Sequence, residues 1–247
     1  MTNHIFSLDT QAILLLCASF GLSRTTVPKP LTLREYNSLV IWLKDNDLTP
    51  QDLFDSIIQD KLLQLTINQL ESHRILALLK RGVMLSLAVE KWTNQGLWIL
   101  SRGDAEYPKC LKQKLKDQAP AILYGVGNKN LLDQGGLAIV GSRNLDDAGL
   151  EYTQKLIKTC VQQKSQIIVG GTRGVDRALM LGTIEAGGTV VGVMADGLAT
   201  SAVAKNYRRG IPQGRLTLIS ALDPDAGFKI DNAMGRNQYI HALASLN

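Results

Sequence analysis

Apolar positions recur at helical spacing through the first 95 residues and change period after that. Asp9-Thr10 precede the run Ala12-Ile13-Leu14-Leu15-Leu16, and Gly21 stands where a helix would stop. Thr32-Leu-Arg-Glu35 has the form of a capping box, in which hydroxyl and carboxylate satisfy each other's backbone donors. Tyr36 to Leu43 then places its apolar residues on one face. Thr49-Pro50-Gln51-Asp52 is another start, with a cap, a proline at the first helical position and an acid in the first turn. Thr66 to Leu79 and Leu85 to Trp92 complete a helical N-terminal region, residues 1–95.

Beyond Gly96 the runs shorten. Gly-Leu-Trp-Ile-Leu (96–100) reads as a strand, Asp104 to Leu111 as an extended passage turning helical after Pro108, and Ile122-Leu-Tyr124 as a short strand with a turn at Gly125, Gly127 and Asn128. From residue 137, apolar runs alternate with helical stretches. The runs are Leu137–Val140, Gln166–Val169, Thr189–Met194 and Leu216–Leu222; Gly149–Gln162 and residues 175–186 have helical period. Short continuous apolar runs separated by helices mark a parallel sheet covered on both faces. The expected fold is α/β: a Rossmann-like, doubly wound, mostly parallel sheet over 96–247, its first strand and hairpin at 96–136, preceded by the helical region.

Composition narrows the function. No run approaches ~18 apolar residues, so no membrane-spanning helix is expected. The first residues carry no basic segment ahead of their apolar run, so a secretory signal is not expected and a cytoplasmic location is. Cys17, Cys110 and Cys160 are too dispersed for a disulfide framework or a zinc site, and His4, His73 and His241 have no ligand spacing. Neither metal nor cofactor is expected. The net charge of +5 permits a polyanion partner without identifying one.

Ligands of open parallel sheets bind beyond the carboxyl ends of the strands. Three loops fall there: Gly141-Ser142-Arg143-Asn144, Gly170-Gly171-Thr172-Arg173-Gly174-Val175-Asp176, and Asp196-Gly197-Leu198. The first two each combine a sharp glycine turn, a hydroxyl and an arginine, whose planar fork of donors matches phosphate. Neither the dinucleotide fingerprint nor a Walker A motif is present. A basic stretch follows, with Lys205, Asn206, Tyr207, Arg208, Arg209 and Arg215, and Arg236-Asn237 adds a cation near the end. Arginines beside an aromatic suit a single-stranded polynucleotide. No Ser-His-Asp or Cys-His arrangement is defensible, and Asp176 fits a helix cap or a partner of Arg173 better than a base. Catalysis is not expected.

The order of motifs from Trp98 onward carries a resemblance. Tyr107-Pro108 with Leu111 matches a "YPxxL" motif. Pro120 to Asn128 with Leu131-Leu132 matches a "PxxLYxxGNxxLL" hairpin, and Val140-Gly141-Ser142-Arg143 a "VGSR" turn. Gly170 to Asp176 resembles an "SGxARGID" loop, Gly187 to Leu198 is similar to a "GGxTIAVLGxGLD" strand and turn, and Arg236-Asn237 corresponds to the start of an "RNRIIAGLS" segment. Together they resemble the DprA/Smf family of DNA-processing proteins. The resemblance implies a protein that binds and protects single-stranded DNA and helps load a RecA-type recombinase in natural transformation or DNA recombination. A homodimer is a further candidate assembly.

By position, the resemblance makes Arg143 and Arg173 phosphate contacts, with donors from Ser142 and Gly171, and Asn206 following the third loop. The full candidate set is Gly141, Ser142, Arg143, Gly170, Gly171, Thr172, Arg173, Lys205, Asn206, Arg208, Arg209 and Arg236.

The sequence departs from the pattern in places. Gly170 stands for the usual Ser, Leu179-Met180 for Ala-His, and Gln238 for the second Arg of "RNR". The family pattern continues beyond Asn247, so the chain reads either as a divergent, shortened relative or as a truncated piece, and its last helix (Gln238–Leu246) is expected to be mobile or a subunit contact. The alternative on the same frame is a nucleotide-binding sensor or nucleotide-processing enzyme, for instance in defence. The "PGGxGT" motif of nucleotide phosphoribohydrolases is absent, since no Pro precedes Gly187-Gly188.

Overall fold

The computed structural model describes residues 6–20, 28–64, 71–207 and 209–245. The chain divides into two compact units. One holds Met1–Lys91, Leu100–Tyr107 and Asp117–Leu123; the other holds Trp92–Ile99, Pro108–Lys116 and Tyr124–Asn247.

In the first unit, α1 (Leu8–Cys17) buries Ala12 to Leu16. Its cap is Ser7, whose hydroxyl accepts from the Thr10 N–H at 3.1 Å. Asp9 does not cap, because its carboxylate accepts from the Gln51 N–H at 2.9 Å. α2 (Leu33–Asp45) begins with the expected capping box at Thr32. Pro50 opens a 3-10 turn, Pro50–Phe54, which leads into α3 (Ser56–Leu63). The fourth expected helix is α4 (Ser72–Leu79); residues 65–70, and Gly21 before α2, lie outside the described residues. The next, α5 (Gly82–Asn94), starts three residues before Leu85. Arg81 is buried, donates to the carbonyls of Leu15 and Ala18, and lies 4.6 Å from the Phe20 ring centre. It thereby satisfies carbonyls at the end of α1 that have no partner inside the helix. Burial lowers its pKa to about 10.

The elements that follow are β1 (Trp98–Ser101), α6 (Lys109–Leu115), β2 (Ile122–Gly127), β3 (Leu137–Ala138), α7 (Asp147–Gln162), β4 (Ile167–Val169), α8 (Val175–Glu185), β5 (Val190–Val193), α9 (Ala199–Ala202), β6 (Leu216–Ser220), α10 (Ile230–Gly235) and α11 (Asn237–Leu243). The strands form one sheet in the order β1-β2-β6-β5-β4-β3. β3 to β6 pair in parallel; β2 joins β6 antiparallel, with Tyr124 opposite Ser220. The sheet is α/β and mostly parallel, as the alternating pattern predicts. β4 and β5 are buried at every residue. Successive strand residues face opposite sides, so both faces are covered.

Four local expectations change. Gly125 is inside β2, not in a turn, because the indole of Trp98 occupies the space a Cβ there would need. Residues 120–132 form a strand and a 3-10 turn (Lys129–Asp133), not a hairpin. The run Leu137–Val140 gives a strand of two residues only: β3 is at the sheet edge and Val140 is 61% exposed. The last helix, α11, expected to be mobile or a subunit contact, packs on α6, β3 and β4 with Ile240, Ala242 and Leu243 buried. Among the described residues no helix is long and apolar enough to cross a membrane. Cys17, Cys110 and Cys160 form no disulfide.

Candidate nucleic-acid interface

The parallel strands aim their carboxyl ends at a cavity of about 380 Å³. It is lined by Arg143 after β3, Gly170 to Arg173 after β4, Met194 to Asp196 from the end of β5, and Phe228 after β6. That volume lies within the roughly 300–1,000 Å³ range of small-molecule sites.

The first two loops are locked together. The Val175 N–H donates to the Ser142 carbonyl at 3.0 Å, and a Cβ on Gly174 (φ +83°) would overlap that same carbonyl. The Ser142 hydroxyl accepts from the Asn144 N–H at 3.1 Å, which tightens the first turn and leaves its own proton to donate. Asp176 is buried in the first turn of α8. It accepts from the Thr172 N–H at 3.2 Å and the Thr172 hydroxyl at 2.7 Å. The helix start therefore already has an anion of its own, and the arginines are the cations left facing the cavity.

Arg236 completes the scaffold from below. It is buried, donates through one guanidinium nitrogen to the carbonyls of Gly170 and Val193, and holds its other terminal nitrogen 3.7 Å from the Asp176 carboxylate. Burial lowers its pKa, and Arg143 nearby lowers it further, while Asp176 and Asp196 act in the opposite direction. Arg236 thus braces the loop from a buried position, unlike the exposed Arg143 and Arg173. Asp176 partners Arg236 and Thr172 rather than the Arg173 expected from the sequence.

The remaining candidates fall differently. Arg143 and Arg173 are exposed at the rim, and Gly141 and Ser142 flank it. Lys205, Asn206 and Arg209 are exposed but do not line the cavity. Arg208 lies outside the described residues. The chain reverses through this stretch: the carbonyl of Gly210 accepts from the N–H groups of Arg215 and Leu216, at the amino end of β6. Arg215 is therefore at the opposite end of the strands from the cavity. Tyr207 is buried, which withdraws it from stacking on a base.

Of the lining residues outside the candidate set, Asp196 and Phe228 carry chemistry of their own, and Asp196 opens the third loop. Phe228 is half exposed, and the Arg143 guanidinium stands 5.7 Å from its ring centre. It is brought there because the Gly197 N–H donates to the Ala226 carbonyl at 2.7 Å and the Ala199 N–H to the Pro224 carbonyl at 2.9 Å. Asp196 is half-buried, and desolvation raises its pKa. Its place at the end of the third apolar run was the available signal; for Phe228, in a stretch without periodicity, there was none.

Comparison with known proteins agrees with this architecture. DNA processing protein DprA of Bacillus subtilis (strain 168) is 30% identical over 107 residues, 43% of this chain and 35% of that protein. Its namesake from Streptococcus pneumoniae (strain ATCC BAA-255 / R6) is 31% identical over 80 residues, 32% of this chain and 28% of that protein. The matches thus span about a third of the length of these curated relatives. The crystal structure of DNA processing protein A from Streptococcus pneumoniae superposes with a TM-score of 0.63 at 20% identity, covering 87% of this chain and 71% of that one, a likeness of fold. The family model described as DNA recombination-mediator protein A matches residues 98–246, more than half of the chain. With the cavity at the carboxyl edge and the ordered motifs around it, the chain belongs to the DNA recombination-mediator protein A (DprA) family.

Proposed function

We propose that residues 96–247 form a non-catalytic domain that binds single-stranded DNA at the rim of the carboxyl-edge cavity, with Arg143 and Arg173 on the phosphates. The observation that carries the reading is that both exposed arginines line one cavity together with an exposed aromatic, Phe228. Charge tracks a backbone while rings stack on unpaired bases, and a duplex hides those bases. Family membership supports the same reading. Ser142 adds a hydroxyl donor, and Lys205, Asn206 and Arg209 extend the charged surface beyond the rim.

Within this reading the bound strand is protected and passed to a RecA-type recombinase in the cytoplasm, during DNA uptake or recombination, with a second copy of the chain as a candidate partner. The test is a competition: a labelled single strand is displaced from the full chain by unlabelled single strand, duplex or mononucleotide. Displacement by single strand at concentrations where duplex is inert supports the proposal. Equal displacement by duplex, or no strand binding at all, overturns it. Thermal stabilisation by a mononucleotide without strand binding would favour a nucleotide sensor on the same frame.

A further inference from the structure

We infer that Trp92, which does not line the cavity, is a positioning residue for strand binding: its indole holds Asp225 and thereby fixes the loop that presents Phe228. The inference rests on the single-strand reading and adds to it a residue outside the cavity wall.

Phe228 belongs to the stretch between β6 and α10, residues 221–229. No periodic pattern shapes this stretch, so individual bonds must. Inside it, the Ala226 N–H donates to the Asp223 carbonyl at 2.8 Å. Toward the third loop, the Pro224 and Ala226 carbonyls accept from the N–H groups of Ala199 and Gly197 at 2.9 and 2.7 Å. A further bond comes from far along the chain: Trp92 donates its Nε1–H to the Asp225 carboxylate at 3.2 Å.

The two partners of that bond differ in freedom. Trp92, in the last turn of α5, is fully buried, and its ring meets Tyr124 of β2 edge-on with centres 5.4 Å apart. A side chain packed in this way cannot follow a moving loop. Asp225 is exposed, so burial does not hold its carboxylate where it is. A buried indole N–H without an acceptor is costly, which maintains the bond and draws the loop to the indole. On charge alone, an acid beside a site rimmed by Arg143 and Arg173 would oppose a polyanion. Holding the loop that carries Phe228 gives Asp225 a role whose effect on binding has the opposite sign.

The experiment measures the affinity of the full chain for a labelled all-thymine strand of ~20 nucleotides, a length that spans one such groove. Asp225→Ala removes both the acceptor and the charge. A residue acting through charge would give tighter binding on its loss; the inference predicts binding weaker by about threefold to tenfold. Asp225→Asn removes the same charge but keeps an accepting oxygen, and is expected to bind at least as tightly as the wild type. Trp92→Phe keeps a ring and removes the N–H. It is expected to weaken binding as Asp225→Ala does, and the double variant to be no weaker than either single one. In a Phe228→Ala background, Asp225→Ala is expected to change nothing further. Asp225 is exposed, so its variants decide the matter even if Trp92→Phe fails to fold.

Unchanged or tighter binding by Asp225→Ala overturns the inference, as does an equal loss in the alanine and asparagine variants, or a full effect of Asp225→Ala without Phe228. If the wild type binds no strand, the single-strand reading falls, and amide hydrogen exchange over residues 226–229 decides the anchor by itself. Faster exchange in Asp225→Ala but not in Asp225→Asn upholds it; unchanged exchange overturns it.

Discussion

The guanidinium of Arg236 stands 3.7 Å from the carboxylate of Asp176, and both side chains are buried. One residue follows α10 and the other opens α8, so the pair ties the C-terminal helices to the loop that follows β4. Asp176 at the same time holds Thr172, and Arg236 holds the Gly170 carbonyl. The cavity wall is therefore braced from inside by a buried ion pair.

Breaking that pair on one side should cost more than removing both partners. Leaving one buried charge unpaired typically costs about 3–5 kcal/mol, whereas apolar replacement of a whole pair is often neutral. Arg236→Met is expected to lower the urea midpoint markedly, and Asp176→Asn to return part of the loss when combined with it. Independent, additive effects in the double-variant cycle would contradict a direct coupling.

Gly171 has φ +66°, and a Cβ on it would overlap the Met194 sulfur. Gly171→Ala therefore combines backbone strain with overpacking, each on the order of 1–3 kcal/mol. Equilibrium unfolding should show this destabilisation, and an unchanged midpoint would mean that the loop can shift away from Met194.

Glu35 answers to pH. Its carboxylate accepts from Arg74 at 2.7 and 3.1 Å and from the Thr32 N–H at 2.7 Å. The hydrogen bonds from Arg74 lower its pKa most, taking it from an ordinary 4.5 to about 2. A pKa lowered on folding contributes stability that is complete above the unfolded value and is lost as pH falls through the folded one. The contribution, about 1 kcal/mol for a pair with this exposure, should vanish between pH 4.5 and about 2. Glu35→Gln should flatten the acid limb of stability in that window. The same pH dependence in the variant would assign the limb to other carboxylates.

The cationic candidates should separate by position. Arg143→Ala and Arg173→Ala each remove a charge at the cavity rim, whereas Arg209→Ala removes one beside the loop that leads to the amino end of β6. If each rim arginine neutralises one phosphate, its loss reduces the salt slope of binding by about one. Arg209→Ala is expected to change slope and affinity less. An equal effect of all three would spread the footprint along the whole basic stretch.

The legible part of this fold was whatever repeats with a period. The N-terminal helices, α7 and α8, the capping box at Thr32 and the strands ending at Val169 and Val193 follow from apolar spacing and local caps, whereas the short α9 and α10 do not. Boundaries failed where a distant residue decides. Gly125 looks like a turn until the Trp98 indole is seen to need its missing side chain. Asp9 looks like a cap until Gln51 takes its carboxylate. In the site, Arg143 and Arg173 were legible because glycine turns follow apolar runs. Arg236 read as one more surface cation because its buried partners are 43 residues or more away along the chain. The basic stretch misled for a related reason: neighbours in sequence, Tyr207 and Arg215, go to the interior and to the far end of the strands.

The most direct test of the central claim is fluorescence anisotropy of a labelled strand of ~30 nucleotides, titrated with the full chain at several salt concentrations. The wild type is compared with the Arg143→Ala, Arg173→Ala double variant. The account predicts wild-type binding that weakens steeply with salt, and a double variant with at least about tenfold lower affinity and a slope smaller by about two. Superimposable titrations and equal slopes would place the strand elsewhere and contradict it.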